Sequence, residues 1–151
     1  MMRRFKFEDE IYGSLYCVPM AVRRKLDRLG VKIGLKQWQT LGRGERLAIC
    51  HLPAESEEEA DALKLFIQET VQSRSGEPPR SIPDTDRIAA DPPPDPPPTL
   101  VEHLGALGVA LDRTAWSRLD SDERYALVKL GGGKQHSHNL KAAATEFLGA
   151  R

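Results

Sequence analysis

Slid against itself by 78 positions, this chain matches residues 29–52 to residues 107–130 without a gap. Nine of those 24 paired positions are identical: Leu29/Leu107, Gly30/Gly108, Val31/Val109, Trp38/Trp116, Leu41/Leu119, Glu45/Glu123, Arg46/Arg124, Ala48/Ala126 and Leu52/Leu130. Average residue usage supplies roughly one or two chance identities in such a window, so the match predicts an internal duplication. A repeated unit narrows the accessible folds, because both copies must obey the same local rules and bury the same apolar stripes.

The stripes have helical spacing. Val22, Leu26 and Leu29 recur behind Pro19, and Leu100, Leu104 and Leu107 repeat them, with Gly30 and Gly108 placed to stop each helix in left-handed geometry. Thr99 with Glu102 has the form of a capping box. A short second helix carries Leu35, Trp38 and Leu41, matched by Trp116 and Leu119. A third carries Leu47, Ala48 and Leu52, matched by Tyr125, Ala126 and Leu130. Gly34 and Gly42 occupy cap positions where Asp112 and Asp120 stand in the second copy, with Glu45 and Glu123 three residues inside the third helices. Pro53 and Gly131 are placed to end those helices. Ser56 with Glu59 opens a fourth helix, whose Ala60, Leu63, Phe66, Ile67 and Val71 form one apolar face, and Leu140 to Leu148 is its counterpart.

Nine of the eleven prolines lie between Glu77 and Pro98. Proline fixes φ and removes a donor, so this stretch reads as a semi-rigid polyproline II connector rather than helix or sheet, and less naturally as a ligand for an aromatic groove. The expected fold is therefore all-α: a short-helix unit of about four helices, present twice. Residues 1–76 form the first repeat with an N-terminal arm, 77–98 the Pro-rich linker and 99–151 the second repeat, the two copies packing as one compact domain of 151 residues. Phe5 and Phe7 alternating with charge suggest that the arm is extended.

Lys plus Arg, 22, equals Asp plus Glu, 22, so no whole-chain field gathers nucleic acid or anionic lipid. The longest apolar run, Leu15 to Val22, contains Pro19 and is far shorter than the roughly 20 residues a membrane helix requires. Two isolated cysteines, Cys17 and Cys50, suit a reducing compartment, and Phe5-Lys6-Phe7-Glu8-Asp9-Glu10 is no export segment. A cytoplasmic location is expected.

No constellation here specifies an enzyme, a cofactor or a metal. Trp38 and Trp116 read as shared core packing, each indole N–H needing an acceptor, rather than as stacking platforms. Glu45-Arg46 and Glu123-Arg124 read as helix capping rather than acid–base pairs. Cys17, Cys50, His51, His103, His136 and His138 lack zinc-motif spacing, and Gly131-Gly132-Gly133-Lys134 departs from a phosphate loop, with Val128 and Gln135 at positions such a loop gives to Gly and Ser/Thr. The sharpest charge feature runs from Met20 to Cys50. Arg23, Arg24, Lys25, Arg28, Lys32, Lys36, Arg43 and Arg46 face only Asp27 and Glu45 there. Three readings fit: a solvated face balanced by the acidic run Glu55–Asp61, a patch docking an acidic protein, or a helix-turn-helix on DNA. The candidate partner-binding residues are Arg23, Arg24, Arg28, Lys32 and Lys36.

Several segments resemble the nitrate reductase-associated protein family of small bacterial proteins. They are Phe5-Lys6-Phe7-Glu8, Leu15-Tyr16-Cys17-Val18-Pro19-Met20, Val22-Arg23, Lys25-Leu26-Asp27, Gly30-Val31-Lys32, Leu35-Lys36-Gln37-Trp38 and Leu52-Pro53 in the first half. Ala126-Leu127-Val128-Lys129-Leu130, His136, Asn139 and Glu146-Phe147 follow in the second. Two departures stand out: Ala54 follows Leu52-Pro53 where the family often has cysteine, and the linker is unusually rich in proline. The resemblance implies genetic association with nitrate reductase and molybdenum-cofactor genes, and no catalytic residues. It suggests a non-enzymatic accessory protein that binds nitrate reductase, or a factor maturing it, through the basic face. A small metal- or cofactor-binding protein and a DNA-binding regulator of nitrate genes are the alternatives, with nucleic acid the less favoured partner and no membrane partner.

Overall fold

The computed structural model describes residues 2–149, apart from the side chains of Asp86 and Ile88. Its main elements are α1 (Met20–Leu29), β1 (Val31–Lys32), α2 (Leu35–Thr40), α3 (Arg43–His51), α4 (Glu57–Ser75), β2 (Arg80–Ser81) and α5 (Asp84–Ile88). After these come α6 (Pro98–Ala106), α7 (Arg113–Ser117), α8 (Ser121–Gly131) and α9 (Leu140–Leu148). The protein is mainly helical. Against the all-α expectation, β1 and β2 form a short antiparallel ribbon in the register Val31↔Ser81 and Lys32↔Arg80. The elements belong to two compact units, one of residues 10–90 with the chain up to Arg4, the other of Phe5–Asp9 with residue 91 onwards.

In the first unit α1 begins behind Pro19 and stops at Gly30, whose φ of 79° lets its N–H cap Asp27 and Leu26 carbonyls. Val22, Leu26 and Leu29 are buried with Trp38, Leu41, Ile49, Leu63, Ile67 and Val71 in one apolar cluster. The fourth helix is opened by Ser56, whose Oγ accepts from Glu59 N at 3.1 Å while Glu59 Oε1 accepts from Ser56 N at 3.0 Å. Sequence periodicity misplaces three leucines. Leu35 is 53 % exposed, Leu47 36 % and Leu52 40 %. Ile49 and Cys50 form the buried face of α3, and Leu52 lies beyond its end because Pro53 prevents the helix from continuing.

In the second unit Leu100 and Leu104 are buried with Trp116, Tyr125, Ala126, Leu127 and Leu140. Helix α6 starts at Pro98, with proline at its first position and no side-chain cap, so the box expected from Thr99 and Glu102 does not form: Thr99 is already inside the helix. Asp112 and Asp120 do cap, accepting from Ala115 N at 2.7 Å and Glu123 N at 2.8 Å. The starts of α1 and α6, of α2 and α7, and of α3 and α8 are each 78 positions apart. Gly108 repeats the positive φ of Gly30, at 81°.

Two expectations are corrected by long-range contacts. The segment 77–98 holds β2 and α5, because its prolines are grouped at 78–79 and 92–98 while Asp84–Ile88 has none, with Pro83 just ahead where no donor is needed. Ile82 N donates to Gly30 O at 3.1 Å, and Ala90 is fully buried. The N-terminal stretch is a 3-10 helix, Lys6–Ile11, rather than an extended arm. Glu146 takes the amides of Lys6 and Phe7 at 3.1 and 2.9 Å, and Phe5 and Phe7 stack on each other and meet Phe147 at steep ring angles, with centroids 5.2–5.9 Å apart. A strand would also put residues two apart on one face, so the alternation alone does not tell the two conformations apart; the amides of Lys6 and Phe7 taken by Glu146 do.

Candidate protein-docking surface

The cationic excess of the first unit divides according to what each side chain touches. Lys25 sends its ammonium to the carbonyls of Cys50 and Leu52, at 3.1 and 2.9 Å, satisfying the end of α3. Burial holds its pKa below the ordinary lysine value. Arg43 reaches Gly13 O at 2.9 Å. Arg46 spans the carbonyls of Trp38, Gln39 and Ser14 at 3.2, 3.0 and 3.2 Å. Arg24 is half-buried and donates from Nε to Ala90 O at 2.9 Å. These four cations brace the fold by ending on backbone oxygens.

Arg23 and Arg28 on α1, Lys32 on β1 and Lys36 on α2 remain exposed. None of these four forms an ion pair among the described residues. Of the five residues singled out from sequence, then, the structure leaves four at the surface and turns Arg24 inward towards the chain preceding the second unit. Residues that sequence reasoning missed come from the segment read as a linker. Arg80 is exposed and lies directly across the ribbon from Lys32. Arg87 passes over Gly30, reaches the carbonyl of Arg28 at 3.4 Å and is paired with Asp84 at 3.7 Å. The available clue was the pair of proline-free stretches within 77–98.

Other candidate chemistry is occupied structurally. Trp38 and Trp116 are fully buried, and their indole N–H groups donate to Leu15 O at 2.7 Å and Pro93 O at 3.0 Å. Glu45 and Glu123 accept from Gly42 N and Asp120 N, at 2.7 and 3.0 Å, as helix caps. The backbone bond to Gly42, helped by Arg74, holds the Glu45 carboxyl below its usual value. Cys50 is buried, and that burial pushes its thiol up to about 11, partly opposed by Lys25. His103 and His136 approach with ring centroids 5.4 Å apart, His103 Nδ1 lying 2.8 Å from Gly131 O. Among the described residues no three of His, Cys, Asp and Glu gather as a metal site requires, and no helix is long and apolar enough to cross a membrane.

The class of protein defined by these features is a small, mainly helical one in which Arg23, Arg28, Lys32 and Lys36 stay exposed. The chain belongs to the conserved nitrate reductase-associated protein family, whose model matches residues 4–147. No curated protein and no solved structure matches it.

Proposed function

We propose that this chain is a non-enzymatic, cytoplasmic accessory protein of nitrate assimilation that docks onto nitrate reductase or a factor maturing it. The docking face is the basic surface of the first unit, with Arg23, Arg28, Lys32 and Lys36 as its contacts. The observation that carries this reading is the exposure of these four cations in a chain of zero formal charge that otherwise spends its neighbouring cations on backbone carbonyls. Such a local excess steers and orients an acidic protein partner. Membership of the nitrate reductase-associated family supplies the process.

We also infer that the two units descend from one duplicated helical element. The shared spacing of helix starts, the paired caps and the paired tryptophan bonds support this. On that reading the second unit serves as a scaffold copy, since Lys32 and Lys36 correspond to Ala110 and Thr114 there.

The test is capture of the tagged full chain from nitrate-grown cells, comparing wild type with Arg23→Glu/Lys36→Glu. Nitrate reductase or a cofactor-maturation protein should come down with wild type and be lost with the variant. Recovery of neither, or equal recovery with both, rejects the proposal.

A further inference from the structure

The ribbon places two cations opposite one another. Lys32 and Arg80 are register partners in an antiparallel pair, so their side chains leave the same face with Cβ atoms roughly 5 Å apart. Both are exposed and neither forms an ion pair among the described residues. Like charges directly opposite across a ribbon destabilise it. The arrangement therefore costs the isolated chain stability, which an opposite charge brought from outside would restore.

The surroundings specify that outside group further. Leu35 stands between Lys32 and Lys36 in sequence and is 53 % exposed at the start of α2. Gln37 Nε2 donates to Glu77 O and Pro78 O at 3.4 and 3.1 Å, which brings the start of α2 beside the approach to Arg80. An exposed leucine between Lys32 and Lys36 in sequence, with Arg80 across the ribbon from Lys32, has the makeup of a protein-contact spot, an apolar anchor with a charged rim. A phosphate backbone has no use for the leucine, whereas a peptide can offer an apolar side chain beside its carboxylates.

We infer that the Lys32–Arg80 ribbon, with Leu35 and Lys36, is the recognition spot for an acidic peptide segment bearing an apolar side chain. Carboxylates of the partner bridge the two cations while its apolar residue covers Leu35. This rests on the proposed docking function and adds the chemistry of the partner and the contribution of Arg80.

The experiment uses the full chain and a fluorescent oligoglutamate peptide with a central leucine, read by anisotropy at low salt, alongside thermal melts without peptide. Lys32→Glu and Arg80→Glu should each raise the melting temperature, since either turns repulsion into attraction. Each should also weaken peptide binding by roughly tenfold or more. The double variant Lys32→Glu/Arg80→Glu should lose the gain in melting temperature and still fail to bind. Leu35→Ser should leave the melt unchanged and weaken binding of the leucine peptide but not of plain oligoglutamate. The inference is overturned if the single reversals lower the melting temperature, if they leave peptide affinity unchanged, or if duplex DNA or anionic vesicles bind more tightly than the peptide. Peptide binding that behaves as expected, with no nitrate-assimilation protein captured from cells, would reject the proposed function and leave the recognition spot standing.

Discussion

Trp38 donates its buried indole N–H to the carbonyl of Leu15 at 2.7 Å, and Leu15 is the non-glycine residue among those described that has positive φ, 56°. Seventy-eight positions on, Trp116 makes the same bond to Pro93 at 3.0 Å, although proline holds φ near −65°. Opposite backbone conformations thus serve one indole. A left-handed leucine costs about 1–2 kcal/mol, offset here by a side chain only 1 % exposed and by the tryptophan bond.

Trp38→Phe removes that donor and leaves the Leu15 carbonyl unsatisfied in the core. A loss of about 1–3 kcal/mol is expected from the carbonyl alone, with a further loss for the smaller ring. Urea unfolding should show a lower midpoint, and an unchanged midpoint would contradict the role assigned to the bond.

Arg46 and Arg124 form matching braces. Arg124 holds the carbonyls of Trp116 and Ser117 at 3.0 and 3.1 Å, as Arg46 holds those of Trp38 and Gln39, and its guanidinium lies 5.7 Å from the Trp116 ring centroid. Substitution of either by methionine, which keeps the stem, should cost about 1.5–3 kcal/mol because charged donors are lost. Lysine should restore only part of this, since it lacks the planar fork.

Two glycines should respond in opposite directions. A Cβ on Gly131 would fall 2.7 Å from Leu140 Cδ2 and 2.8 Å from Leu100 Cδ1, so Gly131→Ala overpacks the second unit and should cost about 1–3 kcal/mol. Gly105, inside α6, has open space at the same point. Gly105→Ala should stabilise by about 0.5–1 kcal/mol. Paired thermal melts check both signs.

Cys50 sets an alkaline limit. With its thiol raised to about 11 in the folded chain, the unfolded chain loses the proton first as pH rises. The folded state then binds more protons, so stability falls from the ordinary thiol range up towards pH 11 and is unaffected at neutral pH. Melting temperature against pH should show this fall in wild type and a shallower one in Cys50→Ala. The native protein should also resist thiol alkylation at Cys50 until it unfolds.

Much of the local architecture was readable because its causes lie within a few residues. Gly30 and Gly108 stop helices, Ser56 and Asp120 start them, and Glu59 and Glu123 answer those caps. Where a distant element intervened, the reading failed. Leu35, Leu47 and Leu52 fit an apolar stripe yet stay exposed, and Phe5 and Phe7 alternate like a strand yet lead into a 3-10 helix against Phe147. For the basic surface, sequence supplied the excess of cations without telling bracing residues from exposed ones. Arg24 and Lys25 differ from Arg23 and Arg28 only in which carbonyl lies within reach.

By itself, then, the sequence determined where α1, α3, α4 and α8 begin, which tryptophans face the core and that positions 78 apart obey the same rules. Capping and periodicity act over one or two turns, so they survive in a linear string. Only the tertiary structure decided that Arg80 faces Lys32, that Glu146 receives the amides of Lys6 and Phe7, and that four cations end on backbone oxygens. Those partners meet only after long loops have closed, and the closure depends on how whole helices pack rather than on any short run of residues.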